Sequence, residues 1–284
     1  MRWPFALYVL FTVGSLQALP LGNPAEPALF ANGMLWCGGN PACCDLCDPS
    51  FSWCDAVSLR LGFYGDYVFN RGSKITQSTV QGEQGSGIDR ATITTNAGIL
   101  TLNLFRRIDI FTTLGETQLY AKTDNNNTPS PAFGDVHEAI YSPRFSWSVG
   151  GRAILYSACC FDLGIEGQYF RTELKQVKLI NSQLTTSYFT LHKSHYEEAQ
   201  GGIGLSHRFV AACSTVELIP YVGFKGSWAR KVVNAETAST VENLARRWGY
   251  ALGMTLTVAE AVSITGEARF GDEKAASVLA EFRF

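Results

Sequence analysis

The sequence predicts an all-β chain, a transmembrane antiparallel β-barrel of about ten strands. Three observations lead there. Apolar and polar residues alternate with period two from Asp55 onward, the mark of strands with one apolar and one polar face. Several runs exceed the about 5–6 residues usual for a soluble strand and reach the about 9–11 that a tilted strand needs to cross a bilayer. Short connections alternate with long polar ones, as in bacterial outer-membrane barrels.

The chain opens with a targeting pattern. MRWPFALYVLFTVGSLQA carries Arg2, an apolar run from Phe5 to Val13, and the small residues Gly14, Ser15 and Ala18. This reads as a signal peptide over residues 1–18, too short to span a bilayer as a helix. A buried N-terminal strand is the bland alternative. The mature chain would start near Leu19, outside the reducing cytosol, where cysteines tend toward disulfides. Residues 19–55 then form a cysteine-rich periplasmic segment, and residues 56–284 the barrel.

The strands follow in order. The first, 56–69, sets Val57, Leu59, Leu61 and Phe63 against Ser58, Arg60, Gly62 and Tyr64. Strands at 91–105 and 108–121 flank RRID. FSWSVGGRAILY gives 144–156, with Phe145, Trp147, Val149, Ala153 and Leu155 on one face. FDLGIEGQYF gives 160–171, with Phe161, Leu163, Ile165 and Tyr169 against Asp162, Glu166 and Gln168. The rest are 194–209, 216–229, 248–258, 262–270 and 276–284. RRID, SAC, VAACS and AEA are short turns. Stretches 70–90, 122–143, 172–193 and 230–247 are long polar loops, and GDEKAA closes the last hairpin. An even count puts both ends of the barrel on the periplasmic side. The alternative of 12–16 strands requires extra ones in 72–90, in 172–193 or before Cys54.

Five cysteines, Cys37, Cys43, Cys44, Cys47 and Cys54, crowd into WCGGNPACCDLCDPSFSWC. Cys159, Cys160 and Cys213 lie in or beside short turns, so every cysteine falls on the periplasmic side of this topology. Cys44 and Cys47 make a CxxC, but zinc takes four ligands and neither a second CxxC nor a histidine is near. A redox CxxC needs a thioredoxin-like context that is absent. Disulfides are the expected state, with no metal and no cofactor. Adjacent Cys43 and Cys44 do not pair easily with each other. Five is odd, so at least one of the cluster pairs with a turn cysteine, with another chain, or not at all.

The polar faces carry Arg60, Arg152, Glu166, Glu198, Arg208, Lys225, Glu267, Arg269, Glu281 and Arg283. These charges either line a wet pore or pair across a narrow interior and block it. About eight strands leave an interior that side chains fill, and sixteen to eighteen leave a channel, so strand count alone favours constriction. Tyr64, Tyr67, Phe69, Tyr120, Tyr141, Tyr156, Tyr169, Phe170, Trp228 and Trp248 are candidates for an interfacial girdle. Phe284 ends the chain as a terminal aromatic, like the assembly signal of bacterial porins. The formal charge of −2 argues against a nucleic-acid partner. Enzyme motifs such as GxSxG, a P-loop and HExxH are missing. Asp135, His137 and Glu138 form the single cluster worth testing for rim hydrolase chemistry.

LPLGNPAEPALFANGMLW, CDPSFSWCDAVSLRLGFYGDYVFN, FSWSVGGRA, HYEEAQGGIGLSHRF, IPYVGFKGSWAR and VSITGEARFGDEKAASVLAEFRF resemble the major outer-membrane protein family of chlamydiae nearly end to end. The resemblance implies a multi-pass porin of the bacterial outer membrane, in contact with its lipid, that passes small solutes by passive diffusion. It also implies a structural part in a disulfide-cross-linked cell envelope, with linked envelope proteins as partners. A homo-oligomer, commonly a trimer in this family, and loops acting in adhesion are further implications. Cys47 and Cys54 match the family motif, with one of the pair Cys159 and Cys160. The sequence departs in its short outer loops, which bears on pore width, and in its cysteine-rich CGGNPACCDLC, which bears on connectivity. The alternative is a non-conducting structural or adhesin barrel with a salt-bridged, plugged interior.

Overall fold

The structure, a computed structural model, describes residues 20–30, 56–79, 85, 87–123, 137–180, 186–210, 215–236 and 239–283. The proposed signal peptide, Cys37, Cys43, Cys44, Cys47, Cys54, Asp135, Cys213 and Phe284 lie outside the described residues.

The strands are β1 (Val57–Ser78), β2 (Gly87–Leu104), β3 (Ile108–Thr123), β4 (His137–Tyr141), β5 (Arg144–Ala158), β6 (Phe161–Ile180), β7 (Thr186–His207), β8 (Phe209–Val210), β9 (Val216–Asn234), β10 (Ser239–Leu244), β11 (Trp248–Val258), β12 (Val262–Phe270) and β13 (Glu273–Arg283). A closed antiparallel ring runs β1, β2, β3, β5, β6, β7, β9, β11, β12, β13 and back to β1. This is the ten-stranded ring expected from the alternation. Closure removes the unpaired edges that lipid would not tolerate.

β4 continues the line of β5 beyond an interruption at Ser142 and Pro143, since both strands pair with β3 and β6. Pro143 has no N–H to give the ladder, and the Ser142 N–H reaches Gln176 O at 3.1 Å instead. β8 likewise continues β7 against β9.

The outer end differs from the sequence expectation. Stretches read as polar loops are largely strand: β1 runs to Ser78, β6 to Ile180, β7 starts at Thr186, and β4 and β10 are additional. β10 folds back between β9 and β1, above the shorter β11, β12 and β13. The wall there is β1, β2, β3, β4, β6, β7, β9 and β10, so the barrel loses strands toward the outside. Register shifts explain why alternation fails in these stretches. They fall between Val68 and Asn70 and between Leu174 and Gln176, and an extra residue swaps the two faces.

The apolar face points outward. Phe63, Leu114, Phe145, Val222, Leu252 and Ile264 are among its exposed large side chains, which makes a surface for lipid. Inside, Val68, Ile93, Leu119, Phe170, Leu174 and Tyr196 belong to an apolar cluster that narrows the outer half. A smaller cluster of Tyr64, Ala97, Ile99, Phe111 and Leu279 lies on the inner wall.

Candidate functional site

The candidate site is the barrel interior, and among the described residues its main occupant is the chain's own segment 20–30. Residues 20–30, expected on the periplasmic side, lie inside the lumen, with Leu21, Asn23, Ala25, Glu26, Leu29 and Phe30 buried. Inward-facing side chains hold the segment by its backbone. The Leu21 and Gly22 N–H groups donate to the two oxygens of Glu267, each at 2.9 Å. Gln200 Nε2 donates to Pro20 O at 2.7 Å, Arg60 Nη1 to Glu26 O at 3.2 Å, and Asn103 Nδ2 to Pro27 O at 2.9 Å. Asn23 donates to Thr255 Oγ1 at 2.8 Å and to Ile219 O at 3.2 Å. A buried backbone needs such partners, because unpaired polar groups are costly.

Local sequence fits the segment to the wall. Gly22 has φ 74, a conformation glycine adopts without penalty, and a Cβ there would lie 2.7 Å from Glu166 Oε2. Gly202 on β7 and Gly223 on β9 leave the hollow that receives Leu21: a Cβ on either would overlap its methyl groups. Glu26–Ala28 forms a single 3₁₀ turn with Pro27 in its first turn. Ala25, Leu29 and Phe30 then pack on Ile219, and the Arg60 guanidinium lies 4.4 Å over the Phe30 ring.

Paired charges fill the remaining width. At the inner level Arg60 meets Asp109 at 2.5 Å and Glu281 at 3.9 Å, and Arg152 meets Glu166 at 3.1 Å and Glu26 at 3.6 Å. Further out, Arg269 pairs with Asp66, with Glu273 at 2.9 Å and with Glu267 at 3.4 Å. Lys225 pairs with Glu273 and with Asp272 at 3.2 Å, and Arg71 binds Glu198 at 2.6 Å. Lys231 and Glu242, 2.7 Å apart, complete the outer level. A cavity of about 20 Å³, lined by Gly22, Tyr64, Arg152, Glu166 and Gln168 among others, remains beside the segment. That is room for about one water.

Glu26 belongs to the inserted segment, not to a strand that crosses the membrane. Burial pushes its carboxyl up to about 7, Glu281 adds to the rise, and Arg152 and Arg60 oppose it.

Arg60, Arg152, Glu166, Glu198, Lys225, Glu267, Arg269 and Glu281 thus converge in the interior as paired groups. Arg208 and Arg283 do not join them. Arg208 is half-buried at the periplasmic mouth, 3.4 Å from Asp162 and 3.5 Å from Glu217, and Arg283 is half-buried near the end of β13. Sequence reasoning missed Glu26, Asp66, Arg71, Asp109, Lys231, Glu242, Asp272 and Glu273. Asp66 and Asp109 follow from simple alternation, whereas Arg71 lies beyond the shift that reverses the faces of β1.

Three girdle candidates turn inward: Tyr64, Tyr141 and Phe170 are buried in the interior clusters. Phe69, Tyr156, Trp228 and Trp248 are exposed on the outside, and Tyr67, Tyr120 and Tyr169 are half-buried. Cys159 and Cys160 are exposed at the β5–β6 turn, and among the described residues neither is joined in a disulfide. Glu138 lies on β4, in register with Lys122 and Ile180.

A closed antiparallel ring, apolar outside and charged inside, is the build of an outer-membrane β-barrel. The chain belongs to the family whose model is described as Chlamydia major outer membrane protein, which matches residues 4–85 and 126–200. It is 30% identical to the major outer membrane porin of Chlamydia psittaci, over 95% of each chain. It is also 30% identical to the serovar C major outer membrane porin of Chlamydia trachomatis, over 97% of each. These relatives are named as porins, not as enzymes. Among solved structures it is similar to the outer membrane protease OmpT of Escherichia coli, at TM-score 0.43 and 10% identity, covering 83% of this chain and 99% of that one.

Proposed function

We propose that the chain is an outer-membrane porin for small solutes whose path runs through the barrel, and that residues 20–30 hold that path shut in this conformation. The observation that carries this is the seating of the segment on Glu267, Arg60, Asn103 and Gln200. Its contacts, hydrogen bonds to the backbone and packing of Leu21, Ala25, Leu29 and Phe30, are all non-covalent and reversible, and Arg106 at the β2–β3 turn holds Ala28 O at 2.7 Å, near the periplasmic end. Above it the apolar cluster around Phe170 and the pairs Arg71–Glu198 and Lys225–Asp272 narrow the lumen further, so these side chains must shift as well once the segment has left. Once it withdraws, Arg60, Arg152, Glu166 and Glu267 become the lining that solutes meet.

The same proposal includes cross-linking of the envelope and a homo-oligomer. Cys159 and Cys160 support it, since exposed thiols at a periplasmic turn can reach another chain. On non-reducing gels of freshly alkylated membranes, high-mass bands should collapse with reductant, and monomer in both lanes would contradict cross-linking. The filled interior favours a second reading, a non-conducting barrel with a purely structural role. Uptake of a small neutral sugar into proteoliposomes separates the two. Gly223→Val, which crowds Leu21 out of its hollow, should raise uptake over the unaltered chain. No uptake in either, with both folded and inserted, would favour the structural reading.

A further inference from the structure

On the outer surface, neighbouring strands place two rows side by side. Arg171 on β6 is in register with Glu197 on β7, Glu197 with Arg230 on β9, and Arg230 with Asn243 on β10. One step toward the membrane, Tyr169, Ala199 and Trp228 form a second row on β6, β7 and β9. Below it the outward face is wholly apolar, through Ile203 and Leu205 on β7 and Phe224 and Val222 on β9. The level is therefore the outer boundary of the lipid-facing band, where aromatic rings and snorkelling arginines belong.

This boundary is not a plain wall. β10 takes the place of β11 beside β9 at this height, and a groove of about 290 Å³ opens at the fork. Tyr169, Glu197, Trp228, Arg230, Asn243 and Arg247 line it. Ala199, between the two aromatic side chains, provides its hollow floor. Arg247 projects from the β10–β11 connection, whose carbonyl at that residue accepts the Ser227 N–H at 2.8 Å. Arg171 and Arg230 lie 3.7 and 3.9 Å from Glu197, and Tyr169 Oη donates to the same carboxylate at 3.1 Å. Glu197 thus stands between two guanidinium groups, Arg230 keeps 54% of its side chain exposed, and the other carboxylate of the lining, Glu198, is buried against Arg71 at 2.6 Å. The exposed Arg230 and Arg247, the polar edge above and the apolar floor below match one kind of ligand.

We infer that this groove binds the phosphorylated headgroup of an outer-leaflet lipid. Arg230 and Arg247 take the phosphate, for which the guanidinium fork has the right geometry. Arg171 adds charge, and Asn243 meets the polar part of the headgroup. An acyl chain runs down over Ala199 between Tyr169 and Trp228 onto the apolar face. The inference rests on the outer-membrane placement and not on solute passage, so it stands or falls separately from the porin reading.

The test uses the refolded full chain in uncharged detergent, titrated with diphosphoryl lipid A and followed by native mass spectrometry. A one-to-one complex is expected, and Arg230→Ala with Arg247→Ala should weaken it about tenfold, the loss of one charge-assisted contact or more. Glu197→Gln, which removes the competing carboxylate, should tighten it. That variant decides the matter alone if the double variant does not fold: unchanged or weaker binding overturns the inference. Equal binding of a fully dephosphorylated lipid A overturns it too. Displacement of the lipid by inorganic phosphate at comparable concentration would mean a free-anion site and overturn the lipid assignment.

Discussion

The main-chain N–H of Leu21 donates to Glu267 Oε1 at 2.9 Å, joining the N-terminal segment to β12 across 246 residues of sequence. Gly22 donates to the other oxygen of the same carboxylate. Glu267 is itself held by Tyr221 Oη at 2.8 Å and by Arg269 at 3.4 Å. One side chain on the wall therefore fixes the start of the segment that fills the lumen. Replacing Glu267 with glutamine exchanges one acceptor oxygen for a donor facing an N–H. Hydrogen bonds to a charged group contribute about 1.5–3 kcal/mol each, so the Leu21 and Gly22 amides should exchange with deuterium markedly faster in Glu267→Gln, with the strand amides of β11 unchanged.

Glu26 makes the seating sensitive to pH. Its carboxyl is raised from its ordinary 4.5 to about 7 when seated, chiefly by burial. The seated segment therefore holds a proton that the withdrawn segment gives up. The resulting stabilisation is full below about 4.5 and is lost as pH rises through about 7. Protease cleavage within residues 20–30 should be slow at acidic pH and accelerate through neutrality. Glu26→Gln, always neutral, should flatten that profile.

Arg60 and Asp109 are fully buried and 2.5 Å apart. Removing one partner strands a charge in a dry interior, and breaking such a pair costs about 3–5 kcal/mol. Asp109→Asn should lower the temperature at which the folded barrel loses its characteristic gel mobility. Arg60→Met combined with Asp109→Leu should recover most of the loss, because the pair has little net value over apolar packing.

Leu252 faces outward on β11, in register with the outward Val222 of β9, well inside the apolar band. Arginine near the middle of a barrel's lipid face costs about 2–4 kcal/mol. Leu252→Arg should lower the denaturant midpoint for unfolding from lipid by a matching amount. The same change at exposed Trp248, at the band's edge, should cost much less.

The inner part of the barrel was legible because period two holds through the charged positions there, and the one shift on the β5–β6 ladder, between Ile154 and Tyr156, falls past Arg152. Arg60, Arg152, Glu166, Glu267 and Glu281 all lie on ladders whose faces alternate cleanly around them, so their inward direction follows from counting. Legibility ends where an extra residue reverses the faces. Arg71 and the outer ends of β1 and β6 read as loop for that reason, and β10 is too short to announce itself. Sequence alone places Tyr64, Tyr141 and Phe170 in the girdle, because an aromatic residue suits either side of this wall, whereas all three face inward. The inserted segment left fainter signs. Nothing in LPLGNPAEPALF alternates, and Gly202 and Gly223 reveal their purpose only when Leu21 is found between them. The link between Glu267 and Leu21 is a long-range contact that periodicity cannot supply.

The central claim is that residues 20–30 shut the lumen. Single-channel recording in planar bilayers tests it most directly, with the full chain and a chain lacking those residues inserted under identical conditions. The account predicts rare or small openings for the full chain and larger, sustained conductance for the shortened one. Identical traces from two folded, inserted proteins would contradict it, because the segment would then be no barrier to ions.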